Sequence, residues 1–228
     1  MFKVEDLPAR RKSWIRLANV PWNRQGWLLE DCTDTPSDVL KRLNSWISFI
    51  DEGRVVKTIG DKMCGRGVFL YGPPGRGKTT LALAIVQQVI KDTPFDSLKP
   101  GANKVMVRPC YFLTYNDLLN LKGKEIERDL SEDEARLFQG IFGQAQDDAY
   151  NVRVLIIDDV GKEHMSSKSE WNKAMLHHVL RTRFNNGLPT IVTTNASRDN
   201  WAAIYGEATA SFVKEAFIYE VVAGGDLR

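Results

Sequence analysis

Residues 68–80 constrain this chain most, because they join a short apolar strand, a glycine-rich loop and the start of a helix. They read VFLYGPPGRGKTT, which contains the pattern GxxxxGK[ST], and the apolar run LALAIV follows at 81–86. Glycines let backbone N–H groups turn inward around phosphate oxygens, and the positive end of the following helix stabilises the same charge. This context predicts a phosphate-binding loop, although the bare pattern also occurs in unrelated glycine- and proline-rich turns.

Two side chains of the loop have distinct expected roles. Lys78 is expected to reach the β- and γ-phosphate oxygens, and the Thr79 hydroxyl is expected to bind Mg²⁺. The loop therefore implies that the chain binds a nucleoside triphosphate together with Mg²⁺. The predicted nucleotide-binding residues of the loop are Gly72, Pro73, Pro74, Gly75, Arg76, Gly77, Lys78, Thr79 and Thr80.

A second element follows the apolar run VLII at 154–157, where two carboxylates come in succession. This is a Walker B pattern, in which Asp158 is expected to hold Mg²⁺ through its water shell. Asp159 is expected to orient or deprotonate the water that attacks the γ-phosphate. The alternative is an acidic turn at the end of a strand, which the upstream lysine and threonine make the weaker interpretation.

A third element is the run TIVTTN at 190–195, an apolar strand that ends in polar residues. If this strand lies beside the Walker B strand, Asn195 can contact the same water and sense the γ-phosphate. Asn195 is therefore a candidate catalytic residue, although an asparagine after a strand is also a common turn former.

Composition limits the remaining possibilities. The 228 residues are 43% hydrophobic, which suits one α/β domain with an ordinary core. We expect a cytoplasmic protein without membrane contact, because the chain has no apolar run of about 20 residues and no signal-peptide core. The three cysteines contain no CxxC pair, so free and mostly buried thiols are expected. The net charge of +2 does not by itself favour nucleic acid.

Strand and helix patterns alternate along most of the chain, which predicts a mainly parallel sheet covered by helices. A helix is expected from 35 to 53, with Thr35 as N-cap and Pro36 at its first position. Residues 1–34 contain Trp14, Trp22 and Trp27 and are predicted to pack across the core of a domain formed by 35–228. Further strands are expected at 111–113, 152–160, 189–194 and 219–222, and further helices from 116, around 137–142, at 167–185 and after 200.

These motifs, in this order, resemble the AAA+ ATPases, and within them the branch of DnaC-type helicase loaders and IstB-type transposition helpers. The resemblance covers residues 17–228 and rests on YGPPGRGKT, LIIDDVG, PTIVTTN and the closing GDLR. It implies a P-loop NTPase fold, a three-layer α/β sandwich. The lid domain is expected to be truncated or absent, because 34 residues follow Thr194.

The same resemblance raises a question about arginines, because these ATPases complete their active site with arginines, one of them from a neighbouring subunit. Where the family has Ser-Arg after the sensor strand, this chain has Ser211 and Phe212, so the expected trans-acting arginine is missing. Lys214 or Arg198 are alternatives for it. The resemblance makes Arg228 a candidate nucleotide-binding (sensor-2) residue, and Arg183 and Arg198 candidate residues of an oligomer interface.

The function implied is that of an ATP-hydrolysing replication factor that loads a ring helicase, or a loader-like factor. Its implied partners are single-stranded DNA, a ring helicase and further copies of the chain. A transposition helper that binds duplex DNA is one alternative, and a nucleotide-switched interaction protein with little turnover is another. A phosphotransferase is disfavoured, because the adjacent carboxylates suit attack by water better than a substrate pocket.

Overall fold

The computed structural model describes residues 1–51, 56–59, 62–95, 106–161, 169–197 and 199–222. Within these residues, five strands form a wholly parallel sheet in the order β4-β5-β6-β3-β7. The strands are β3 (Gly67–Tyr71), β4 (Cys110–Thr114), β5 (Val154–Val160), β6 (Thr190–Thr194) and β7 (Phe217–Val221). A separate antiparallel hairpin is formed by β1 (Val56–Ile59) and β2 (Lys62–Gly65).

Helices cover both faces of the sheet. One face is covered by α1 (Ala9–Leu17), α2 (Ser37–Asp51) and α3 (Lys78–Asp92), and the other by α4 (Tyr115–Glu127), α5 (Glu132–Phe142), α6 (Ser169–Asn185), α7 (Asn200–Tyr205) and α8 (Glu207–Ala216). Alternate residues of β5 enter the two cores, since Val154 and Ile156 face one layer and Leu155 and Ile157 the other. The predicted three-layer α/β sandwich is therefore confirmed.

Strand β5 is apolar over most of its length because it is buried on both sides, as parallel strands under crossover helices usually are. Most predicted elements are present, with small shifts at their ends. The helix expected from Pro36 begins at Ser37, and the helix expected from Asn116 begins at Tyr115, after the cap residue Thr114. The expected helix end at Gly53 lies outside the described residues.

The N-terminal segment packs on the α3 side of the sheet. Trp14 is fully buried, stacks on Phe95 and donates its indole N–H to the Met106 carbonyl at 2.9 Å. Trp22 differs from this pattern, because 86% of its side chain is exposed. The division of the chain at residue 34 stays a prediction.

The three cysteines are free and buried, as expected. Burial raises the pKa of the Cys32 thiol to about 11.

In the described part of the chain, no helix has both the length and the apolar character needed to cross a bilayer.

Candidate functional site

The carboxyl ends of β3, β5 and β6 meet at one edge of the sheet, where open α/β sheets place their ligand crevice. A cleft of about 210 Å³ lies at this edge. Residues from all three strand ends and from the N-terminal segment line it: Arg24, Pro74, Gly75, Arg76, Gly77, Lys78, Thr79, Thr80, Asp159 and Asn195.

The glycine-rich loop owes its shape to two glycines in the left-handed region. Gly75 has φ +82° and Gly77 has φ +79°, and Gly77 lies directly before the first turn of α3. Residues with a Cβ rarely adopt this backbone conformation, which explains why the sequence needs glycine at both positions. The loop thereby delivers the first N–H groups of α3 to the cleft.

Lys78 is 94% buried at the base of this loop, since only 6% of it is exposed. Its ammonium donates to the carbonyl oxygens of Gly72 and Pro73, each at 2.8 Å. The side chain is therefore held inside the curve of the loop by the loop's own carbonyls.

Asp158 and Asp159 are adjacent in sequence but have different surroundings. Asp158 is buried and accepts hydrogen bonds from the Thr79 hydroxyl at 2.9 and 3.1 Å. Asp159 is half-buried and lines the cleft. A register shift between Ile157 and Val160 accompanies a positive φ of 58° at Asp159. Because a regular strand sends neighbouring side chains to opposite faces, this irregularity is what lets both carboxylates serve one edge of the sheet.

Thr193 on β6 ties the two acidic residues together. Its buried hydroxyl donates to Asp158 Oδ1 at 2.6 Å and accepts the backbone N–H of Asp159 at 3.0 Å. This role of Thr193 was not predicted from the sequence. The signal was present, because a threonine inside an otherwise apolar buried strand requires a hydrogen-bonding partner.

Asn195 follows β6 directly and lines the same cleft as Asp159, so the two residues lie near each other as the sequence predicts. Arg24 also lines the cleft and was missed, since residues 1–34 were predicted to pack on the core but nothing in their pattern indicated that they would reach the cleft. A smaller cavity of about 100 Å³ shares Arg76, Gly77 and Thr80 with the cleft and is otherwise lined by Trp27 and residues 31–35.

The prediction that Arg183 lies at an oligomer interface is wrong, because this residue is buried in the interior of the chain. Its five N–H groups donate to the carbonyl oxygens of Ile141, Val152, Arg153 and Pro189 and to the Thr190 hydroxyl. Burial lowers the pKa of its guanidinium to about 9, which leaves it protonated at neutral pH. Arg183 therefore joins the end of α5 to the starts of β5 and β6, at the end of the sheet opposite the cleft.

The other predictions about arginines concern Arg198, Arg228 and the missing trans-acting arginine. Arg198 and Arg228 lie outside the described residues. Phe212 is buried, packs edge-to-face on Phe184 at 5.4 Å and lies under the Arg181 guanidinium at 4.9 Å. Lys214 is exposed on α8. The position read as lacking an arginine is thus part of the core between α6 and α8.

Comparison with known proteins places these features in a family. The model of the ATPase family associated with various cellular activities (AAA) matches residues 68–212. RuvB-like 2 of Caenorhabditis elegans is 45% identical over 47 residues, which are 20% of this chain and 10% of that protein. The chain thus matches about a tenth of the length of this curated relative.

Two solved structures share the fold. The crystal structure of the DnaC helicase loader superposes with a TM-score of 0.58 at 23% identity, covering 88% of this chain and 99% of that chain. The replication initiator DnaA bound to AMPPCP and single-stranded DNA superposes with a TM-score of 0.55 at 14% identity, covering 87% of this chain and 51% of that chain. At these identities, the likeness is one of fold.

Proposed function

The chain belongs to the ATPase family associated with various cellular activities (AAA), and we propose that it binds ATP with Mg²⁺ and hydrolyses it as a replication factor that loads a ring helicase, or as a loader-like factor. One observation carries the proposal. The glycine-rich loop, the Asp158–Asp159 pair and Asn195 come from three separate strand ends and meet around one cleft.

The residues at the cleft fit Mg²⁺. The Thr79 hydroxyl and the Asp158 carboxylate lie within 2.9 Å of each other, and both present oxygen, the ligand type that Mg²⁺ prefers. Thr79 would bind the ion directly and Asp158 through water. When bound, Mg²⁺ neutralises charge on the phosphate oxygens.

The remaining residues have roles that follow from where they lie. Lys78 exchanges its two carbonyl acceptors for phosphate oxygens when the nucleotide enters, because charged acceptors form the stronger hydrogen bonds. Asp159 orients the attacking water and accepts its proton. Asn195 donates an amide N–H to the γ-phosphate or to that water. Its hydrogen bonding therefore changes when the γ-phosphate is lost by hydrolysis.

The proposal of a replication role rests on the likeness in fold to the DnaC helicase loader, since the match covers 99% of the chain in that crystal structure. The solved complex of DnaA combines the same fold with single-stranded DNA, which supports the proposal that this chain also binds single-stranded DNA. We therefore propose single-stranded DNA and a ring helicase as partners and further copies of this chain as the assembly. We also propose the cytoplasm as the compartment.

A nucleotide-switched interaction protein with little turnover is the second candidate. The buried position of Phe212 favours it, because the helix that should present a trans-acting arginine instead uses this position for packing. In this alternative, ATP orders the loops at the cleft and its loss releases them.

A transposition helper is a further alternative, which keeps the same ATPase site and differs from the loader in preferring duplex DNA.

Steady-state ATP hydrolysis tests the proposal, measured without DNA, with single-stranded DNA and with duplex DNA, with the oligomeric mass recorded in each nucleotide state. Stimulation and assembly on single strands support the loader, and binding of a ring helicase is then measured by pull-down. Stimulation by duplex DNA alone selects the transposition helper. ATP binding without turnover under all three conditions selects the nucleotide switch.

A further inference from the structure

Arg24 belongs to the N-terminal segment, yet it lines the same cleft as Lys78 and Asp159. It is half-buried, and 54 positions separate it from Lys78 in the sequence. A guanidinium donates several N–H groups in a fixed planar fork, which matches the oxygens of a phosphate group. The tertiary fold has therefore brought a residue that can bind phosphate to the cleft that the glycine-rich loop lines.

The backbone that carries Arg24 is attached to the helix that follows this loop. Gln87 on α3 is fully buried, and its Nε2 donates to the Arg24 carbonyl at 2.9 Å. Its Oε1 accepts the Gly26 N–H at 2.7 Å. One glutamine thus holds both ends of a three-residue turn against the same helix whose first residue is Lys78.

Contacts at Gly26 fix the conformation of this turn. Gly26 has φ +87°, and a Cβ there would lie 2.3 Å from the Phe2 carbonyl oxygen. The Phe2 N–H in turn donates to the Gly26 carbonyl at 2.8 Å. The turn is therefore braced from both sides, by Phe2 and by Gln87, and a pre-ordered group loses less entropy when it binds a ligand.

We propose that Arg24 binds the polyphosphate of the nucleotide within its own subunit, and that Gln87 is the positioning residue that holds it at the cleft. This inference rests on the proposed ATP binding. It supplies from the chain's own N-terminal segment a cationic contact additional to Lys78. The N-terminal segment is then part of the nucleotide site as well as of the hydrophobic core.

Equilibrium binding of ATP, measured by titration calorimetry at two NaCl concentrations, tests the inference. Arg24→Ala should weaken binding by about tenfold, the effect of one charge-assisted hydrogen bond. It should also reduce the salt dependence of the dissociation constant, which a merely loosened turn would leave unchanged. Arg24→Lys should recover part of the affinity. Arg16→Ala is the matched control, because Arg16 is an exposed arginine of the same segment that does not line the cleft.

Gln87→Leu tests the positioning role. Gln87→Leu should weaken ATP binding. The Arg24→Ala/Gln87→Leu double variant should bind ATP no more weakly than Arg24→Ala alone, because both changes remove the same contact between Arg24 and the nucleotide. Additive losses would overturn the role of Gln87.

Wild-type affinity and salt dependence in Arg24→Ala, with binding lost in Lys78→Ala, would overturn the Arg24 inference and leave the proposed function standing. A wild-type chain that binds no ATP would overturn both.

Discussion

Replacing Thr193 with valine removes a hydroxyl that joins Asp158 and Asp159 while keeping the shape of the side chain. The lost bonds are a donation to the Asp158 carboxylate and an acceptance from the Asp159 N–H. A charge-assisted bond contributes about 1.5–3 kcal/mol and a neutral one about 1 kcal/mol. The added methyl returns about 1 kcal/mol through apolar burial.

The free energy of unfolding should therefore fall by about 2 kcal/mol, which for a chain of this size lowers the melting temperature by about 4–8 °C. Urea unfolding monitored by circular dichroism measures the first quantity and calorimetry the second. ATP turnover should fall by about tenfold or more, because a general base contributes about 10²–10⁴ and Asp159 would lose its fixed orientation.

Thr209→Val is the matched control. Thr209 is also buried, and its hydroxyl is 3.0 Å from His177 Nδ1, but it lies on α8 outside the cleft. By the same accounting, the loss of one neutral hydrogen bond (about 1 kcal/mol) is offset by the added methyl (about 1 kcal/mol), so this change should leave both stability and turnover nearly unchanged. If Thr193→Val unfolds at the wild-type urea concentration and hydrolyses ATP at the wild-type rate, the hydroxyl does not order the two acidic residues, and our account of the site is wrong.

The other predictions concern separate parts of the chain. Lys78→Ala should abolish ATP binding, whereas Asp159→Asn should retain bound ATP and lose turnover; equal losses of binding by calorimetry would contradict the two roles. Arg183→Lys replaces five donors with three, so urea unfolding should show a loss of about 2–4 kcal/mol, with ATP affinity unchanged because Arg183 lies at the opposite end of the sheet. Phe212→Arg should lower the melting temperature without raising the ATPase rate, because it puts a charge into the core beside Arg181; a faster, stable variant would show that this position does face a neighbouring subunit.

Sequence patterns were informative where the chemistry is local. The strand, loop and helix around Lys78 were predicted because phosphate binding by backbone N–H groups requires glycines at fixed spacing. The strand at 152–160 was predicted from its apolar residues, which are typical of parallel strands buried between helices. The polar residues that end β5 and β6 could be assigned to one edge because parallel strands align their carboxyl ends.

The sequence alone thus determined the phosphate-binding loop, the mainly parallel sheet and the main residues of the cleft, since these follow from short-range spacing, and the resemblance to AAA+ ATPases implied the P-loop NTPase fold. Only the tertiary structure decided the roles of residues whose partners are distant along the chain. The backbone of Arg24 is held near the cleft by Gln87. Thr193 connects the Asp158 carboxylate to the Asp159 backbone N–H of the neighbouring strand, and Arg183 is buried among carbonyls of three parts of the chain. Nothing in the residue type of an arginine separates a surface charge from a buried one, because that difference depends on which backbone carbonyls the folded chain brings within hydrogen-bonding distance.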